Sequence, residues 1–207
     1  MLISHKYKFI FVKTVKTAGT SIEVELSKIM GPTDIVTPII PPEEGHVARN
    51  FQVQTPHGIF EVKNHMPAFK LKSVMAPQMF NGYFKFCVER EPVDKCVSHF
   101  SMLKNSPIHN KGNEGITWES YLDRGNFPTD FIRYCDPQGN LLVDRILKYE
   151  DLTNELRSVA SQIGFPFEKV YSTAKSGWRE KIDVTDAQKE RIYEAFAPTL
   201  PFTGYAL

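Results

Sequence analysis

The chain has 207 residues, 42% of them apolar, with 25 Lys plus Arg against 24 Asp plus Glu and a formal net charge of +1. That length suits one domain able to bury roughly 70% of its unfolded surface, and the composition excludes collagen-like, coiled-coil and disordered chains. Near-neutral charge argues against a protein that coats nucleic acid or an anionic membrane, so any anion site must be local. The three cysteines, Cys87, Cys96 and Cys135, form no CxxC pair and suggest neither a disulfide framework nor a zinc cluster, which points to a reducing compartment. The apolar run at 9–12 is too short for a signal-peptide core or a bilayer span, so the expectation is a cytoplasmic protein with no transmembrane segment.

Residues 7–13 (YKFIFVK) are aromatic, β-branched and nearly continuous in apolar character, which predicts a buried strand of a parallel sheet. In 20–30 (TSIEVELSKIM), Ile22, Leu26 and Ile29 share a helical face, and Gly31-Pro32 stops the helix. Residues 33–56 carry four prolines and little periodicity and read as a long surface loop. Residues 59–64 (IFEVKN) alternate and predict a strand that brings its end to the ligand-bearing sheet edge. Another strand is expected at 84–89 (FKFCVE), followed by a helix over 93–103 and a second long loop over 104–115. A further strand lies at 141–149 and a helix at 152–163, with Glu150 and Asp151 at its acidic start. Thr185-Asp186-Ala187-Gln188 is a capping box for a last helix. Strands alternating with helices imply an α/β single domain over 1–207, its central, mostly parallel sheet flanked by helices.

Two segments bear chemistry. Residues 9–21 (FIFVKTVKTAGTS) run from a buried strand through a tight loop into a helix, whose first N–H groups and dipole attract phosphate. Lys16 adds a full charge there; the plain alternative is a strand-to-helix connection with a hydroxyl N-cap. It is not a Walker A loop, which needs GxxxxGK[ST] with a magnesium-holding hydroxyl after the lysine. In residues 84–101 (FKFCVEREPVDKCVSHFS), Arg90 follows a strand's carboxyl end, where open α/β sheets bind ligands, and Ser98 lies two helical turns on. The plain alternative for Arg90 is a surface pair with Glu89 or Glu91.

Taken together, KTAGTS after the first strand, RxPxxKxxS after a later one and LKYEDL after a third resemble the sulfotransferase superfamily. The branch is that of carbohydrate sulfotransferases related to heparan sulfate 2-O-sulfotransferase and of small bacterial members. The resemblance runs over nearly the whole chain, to the closing FTGY. Val15 stands where the branch often has proline, and Lys95 where it usually has arginine. The resemblance implies a P-loop nucleoside-triphosphatase-like fold and the donor 3'-phosphoadenosine 5'-phosphosulfate (PAPS), with adenosine 3',5'-bisphosphate as product and no metal. It also implies that Lys16, Thr17, Ala18, Gly19, Thr20 and Ser21 cradle the 5'-phosphosulfate, with Lys16 on the leaving oxygen, and that Arg90 and Ser98 hold the 3'-phosphate. Lys175, Ser176, Gly177, Trp178 and Arg179 resemble the segment that closes over the nucleotide. The sulfuryl group in flight carries less negative charge than a phosphoryl group, so a lysine and backbone dipoles suffice for it.

An acceptor hydroxyl must lose a proton, and neutral histidine is the natural base near pH 7. Of the six histidines, His65 in VKNHMPAF ends a strand at the ligand edge, and the branch carries its base in a similar GHxxF segment, with Asn64 replacing the glycine here. The expected partner is a hydroxyl-bearing acceptor, a carbohydrate by analogy with the branch, and not nucleic acid. Two other functions fit the same features: an ATP-dependent P-loop kinase, and a non-catalytic nucleotide-binding module.

Overall fold

Alternation along a strand sends neighbouring side chains to opposite faces, and here both faces are apolar. The computed structural model describes residues 1–171 and 179–207, which fall into two compact units. The first takes the described residues within Met1–Glu89 and Asp130–Ala174. Its elements are β1 (Leu2–Ser4), β2 (Phe9–Phe11), α1 (Gly19–Ser27), β3 (Ile35–Val36), β4 (Gln52–Thr55), β5 (Gly58–Glu61), α2 (Ala68–Lys72), α3 (Pro77–Gly82) and β6 (Phe84–Glu89). After the second unit's segment, α6 (Phe131–Tyr134), β7 (Arg145–Lys148) and α7 (Leu152–Ile163) complete it. The second unit holds α4 (Pro92–Asn105), α5 (Trp118–Arg124), α8 (Asp186–Phe196) and α9 (Leu200–Thr203).

The main sheet has the order β3-β1-β2-β6-β7. Strands β2, β6 and β7 pair in parallel, while β1 is antiparallel to both β2 and β3, so four of the five strands run the same way. Phe9, Phe11, Phe86, Val88 and Leu147 face α1 and α7 through Ile22, Leu26, Leu156 and Val159. Ile10, Val12 and Cys87 face α2, α3 and α6 through Ala68, Leu71, Phe80 and Tyr134. Helices thus cover both faces, as a buried parallel sheet requires. Phe11 and Phe86 meet at 5.4 Å between ring centroids, and Phe9 meets Phe165 at 5.3 Å.

The strand expected at 59–64 differs from its expectation. It is β5, paired with β4 as a separate two-stranded antiparallel hairpin with Thr55 opposite Gly58, and it does not join the main sheet. The cause is local: Pro56 and His57 close a two-residue turn at little entropic cost, and most side chains of β5 stay exposed, whereas an inner parallel strand must bury both faces. The loop at 33–56 likewise contains β3 and β4.

The second unit is held by Cys96, Val97, Phe100, Ile116, Trp118, Tyr121, Leu122, Ile192 and Phe196. Trp118 stacks on Tyr121 at 5.3 Å and donates from Nε1 to Gln188 at 3.2 Å. Thr185 and Gln188 cap α8 reciprocally, as their spacing predicts. Among the described residues no helix is long and apolar enough to cross a membrane.

Candidate nucleotide and proton-transfer site

The chain leaves β2 at Phe11 and enters α1 at Gly19 through a bend anchored on β6. Thr14 donates its hydroxyl to the carbonyl of Val88, and its oxygen lies 2.8 Å from the Thr17 hydroxyl. Thr17 is fully buried, so its side chain shapes the bend from inside. Lys16 and Ala18 both adopt left-handed φ, +60° and +59°. Such conformations cost an L-residue about 1–2 kcal/mol each and persist where the surroundings impose them.

The helix start is bare. Its N-cap is Ala18, with no side-chain cap and no acidic residue in the first turn, so the hydroxyl-capped connection is not what forms. The N–H groups of Gly19, Thr20 and Ser21 have no acceptor within the helix, and the dipole adds partial positive charge, which suits an anion. Gly19 is required by its neighbour: a Cβ there would lie 2.7 Å from Cγ of Lys13 and 2.9 Å from its Cε. Lys13 runs beneath the helix start to a buried ion pair with Glu23 at 2.5 Å and to the Thr20 hydroxyl at 3.3 Å. Sequence reading missed both members of that pair. The signal was a second lysine at the strand end and a lone carboxylate on the buried face of α1. Lys16 stands half-buried at the bend itself.

His65 reaches this loop from the turn that follows the hairpin. Its Nδ1 lies 3.2 Å from the carbonyl oxygen of Lys13. A carbonyl only accepts, so Nδ1 carries the proton and Nε2 the lone pair that a base needs. The His65 pKa is lowered to about 4, first by burial and then by the Lys13 and Arg133 cations, with Asp130 opposing them. The ring is therefore neutral at pH 7. His65 also has left-handed φ, +58°, and its carbonyl accepts from Nη1 of Arg133. Arg133 is ion-paired through Nε with fully buried Asp130, which accepts the Val15 N–H at 2.8 Å. Neither Asp130 nor Arg133 belongs to a motif or carries a spacing signal.

In the second unit, Arg90 is 5% exposed and pairs through Nε with Asp94, one turn along α4. Asp94 is thus a carboxylate neighbour of Arg90. The other Asp94 oxygen takes Nη2 of Arg179, so two expected anion-binding arginines meet on one carboxylate. Ser98 sits one turn beyond Asp94 on α4, half-buried. Glu91 caps α4 by accepting from the N–H groups of Val93 and Asp94, and the Tyr193 hydroxyl lies 3.0 Å from its Oε1. Lys95 is buried over the ring of Phe196, and His99 Nδ1 lies 3.1 Å from the Tyr121 hydroxyl. Lys175, Ser176, Gly177 and Trp178 lie outside the described residues.

No family model matches the sequence. The crystal structure of mouse sulfotransferase SULT7A1 complexed with PAP is similar with a TM-score of 0.42 and 14% identity; the alignment takes in 94% of this chain, which spans 66% of that one. An uncharacterized protein of Archaeoglobus fulgidus is 30% identical over 122 residues, which make up 56% of this chain and 98% of the archaeal one. At that identity over essentially the full length of the archaeal protein, this chain and the Archaeoglobus fulgidus protein belong to one family.

Proposed function

We propose that the protein transfers the sulfuryl group of PAPS to a hydroxyl acceptor. The observation that carries this reading is the meeting of two motifs: a lysine-bearing bend opening a bare helix start, and a neutral histidine hydrogen-bonded to the carbonyl of Lys13 at the base of the same bend. The fit to the donor is chemical. Uncapped N–H groups, an absence of carboxylates in the first helical turn and a bend cation suit a 5'-phosphosulfate. Two arginines gathered at Asp94 suit a second phosphate, with Ser98 on the same helix.

In this reading Nε2 of His65 takes the acceptor's proton as its oxygen attacks sulfur from the side opposite the leaving group. The bond between sulfur and the bridging oxygen breaks, and adenosine 3',5'-bisphosphate leaves with its new charge against Lys16 and the helix start. The sequence resemblance to carbohydrate sulfotransferases supports a sugar hydroxyl as acceptor.

Calorimetric titration with adenosine 3',5'-bisphosphate, with ATP and magnesium as the control, tests the donor. Saturable binding of the bisphosphate and weaker binding of ATP are expected; strict preference for ATP with magnesium overturns the reading. Transfer of label from PAPS to a panel of glycans should fall about a hundredfold or more in Lys16→Ala and His65→Ala, with thermal unfolding little changed.

A further inference from the structure

Four groups from three separate parts of the chain are linked without a gap around the base. The N–H of Val15 donates to Asp130 at 2.8 Å, Asp130 is paired with Nε of Arg133, Nη1 of Arg133 donates to the carbonyl of His65, and Nδ1 of His65 donates to the carbonyl of Lys13. The circuit leaves the nucleotide loop at Val15 and returns to it at Lys13. Asp130 is fully buried and Arg133 largely so.

We propose that Asp130 and Arg133 form a clamp that sets the position and the charge state of His65 relative to the loop. This deepens the sulfotransferase reading and rests on His65 as its base. Three observations carry it. Arg133 grips the backbone of His65, a residue held in the left-handed region, so the clamp acts where the chain is least willing to stay. The guanidinium is used as a fork, one nitrogen on Asp130 and another on the carbonyl, which a lysine ammonium cannot reproduce at both points. Finally, the Val15 N–H ties the clamp to the nucleotide loop, a bond that proline at this position could not make.

The charged groups facing the imidazole are Lys13, Arg133, Asp130 and the Met1 amino group. Burial is the first cause of the ring's neutrality; Lys13 and Arg133 add to it and Asp130 opposes them. The two halves of the clamp therefore act on His65 in opposite senses.

The test uses the full chain with Arg133→Lys, Arg133→Met, Asp130→Asn and Val15→Pro. The pH dependence of PAPS turnover is measured alongside NMR titration of the His65 imidazole without substrate. Arg133→Lys and Val15→Pro should lower kcat about tenfold or more by loosening the geometry, leaving KM for PAPS and the acid limb nearly in place. Arg133→Met should move the imidazole titration upward, and Asp130→Asn should move it downward. If Asp130→Asn does not fold, the contrast between Arg133→Lys and Arg133→Met decides. Unchanged kcat in both Arg133→Lys and Val15→Pro, or an imidazole titration indifferent to loss of the Arg133 charge, overturns the clamp. Full activity in His65→Ala sinks the base assignment instead; the imidazole titration, read without turnover, then still decides whether the pair governs that histidine's charge.

Discussion

His65 illustrates what a buried neutral imidazole costs. Burial and neighbouring cations hold its pKa at about 4, well below the ordinary 6.5 of the free side chain. Between those values the unfolded chain binds a proton at this site that the folded chain refuses, so stability is fully present above pH 6.5 and declines as pH falls toward 4. Turnover follows a related rule. The free enzyme should show kcat/KM flat through neutrality and falling toward pH 4, whereas kcat should turn down at higher pH, because a bound multiply anionic donor favours the imidazolium. Coincident acid limbs for the two parameters would place the base elsewhere. At Gly19 the constraint is steric. Gly19→Ala pushes a methyl into the stem of Lys13, and the expected result is weakened bisphosphate binding by about tenfold, since the bend and its lysine pair cannot both keep their places. Unaltered calorimetric affinity would show that Lys13 swings clear.

Elements were legible where periodicity and punctuation agree. The run 84–89 matches β6, 152–163 matches α7, and the box at Thr185 opens α8. Each carries its own local signal: two-sided apolar alternation, a helical stripe, a hydroxyl with its partner three residues on. Strands β1 and β3 were missed because three-residue and two-residue strands give no period to read, and β5 went to a hairpin because cheap local pairing prevailed. In the site, the loop and the histidine declare themselves in sequence, while Asp130, Arg133 and the Lys13–Glu23 pair exist only through contacts distant along the chain. Asp94 belongs to the same class. Asp94→Asn removes the carboxylate that both Arg90 and Arg179 engage, and affinity for adenosine 3',5'-bisphosphate should rise about threefold to tenfold at low ionic strength, with a steeper salt dependence. Weaker binding in calorimetry would mean that Asp94 holds the arginines for the phosphate and does not compete with it. For the sheet itself, Phe86→Ala should cost about 3–5 kcal/mol in denaturant melts, since the ring packs against Phe9, Phe11 and Phe84.

At the scale of the molecule, the expected donor-binding residues divide between two units, with the bend in one and Arg90 and Ser98 in the other. The share of each unit in donor binding is measurable separately. At a hundredfold excess over Kd, the bisphosphate should add about 2.7 kcal/mol to unfolding, and Lys16→Ala and Arg90→Ala should each abolish most of that gain at the same ligand concentration. Loss in one variant alone would confine the nucleotide to one unit.

The chain departs from the first unit at Glu89, within a sheet strand, and re-enters it at Asp130, the residue that already holds Val15 and Arg133. Both feet of that excursion thus stand on buried residues of the first unit. Insertions, deletions or wholesale exchange in the stretch around 104–115 stop at these anchors before reaching the histidine. Descendants of this chain can vary that stretch while the contacts of Asp130 with Val15 and Arg133 are inherited intact.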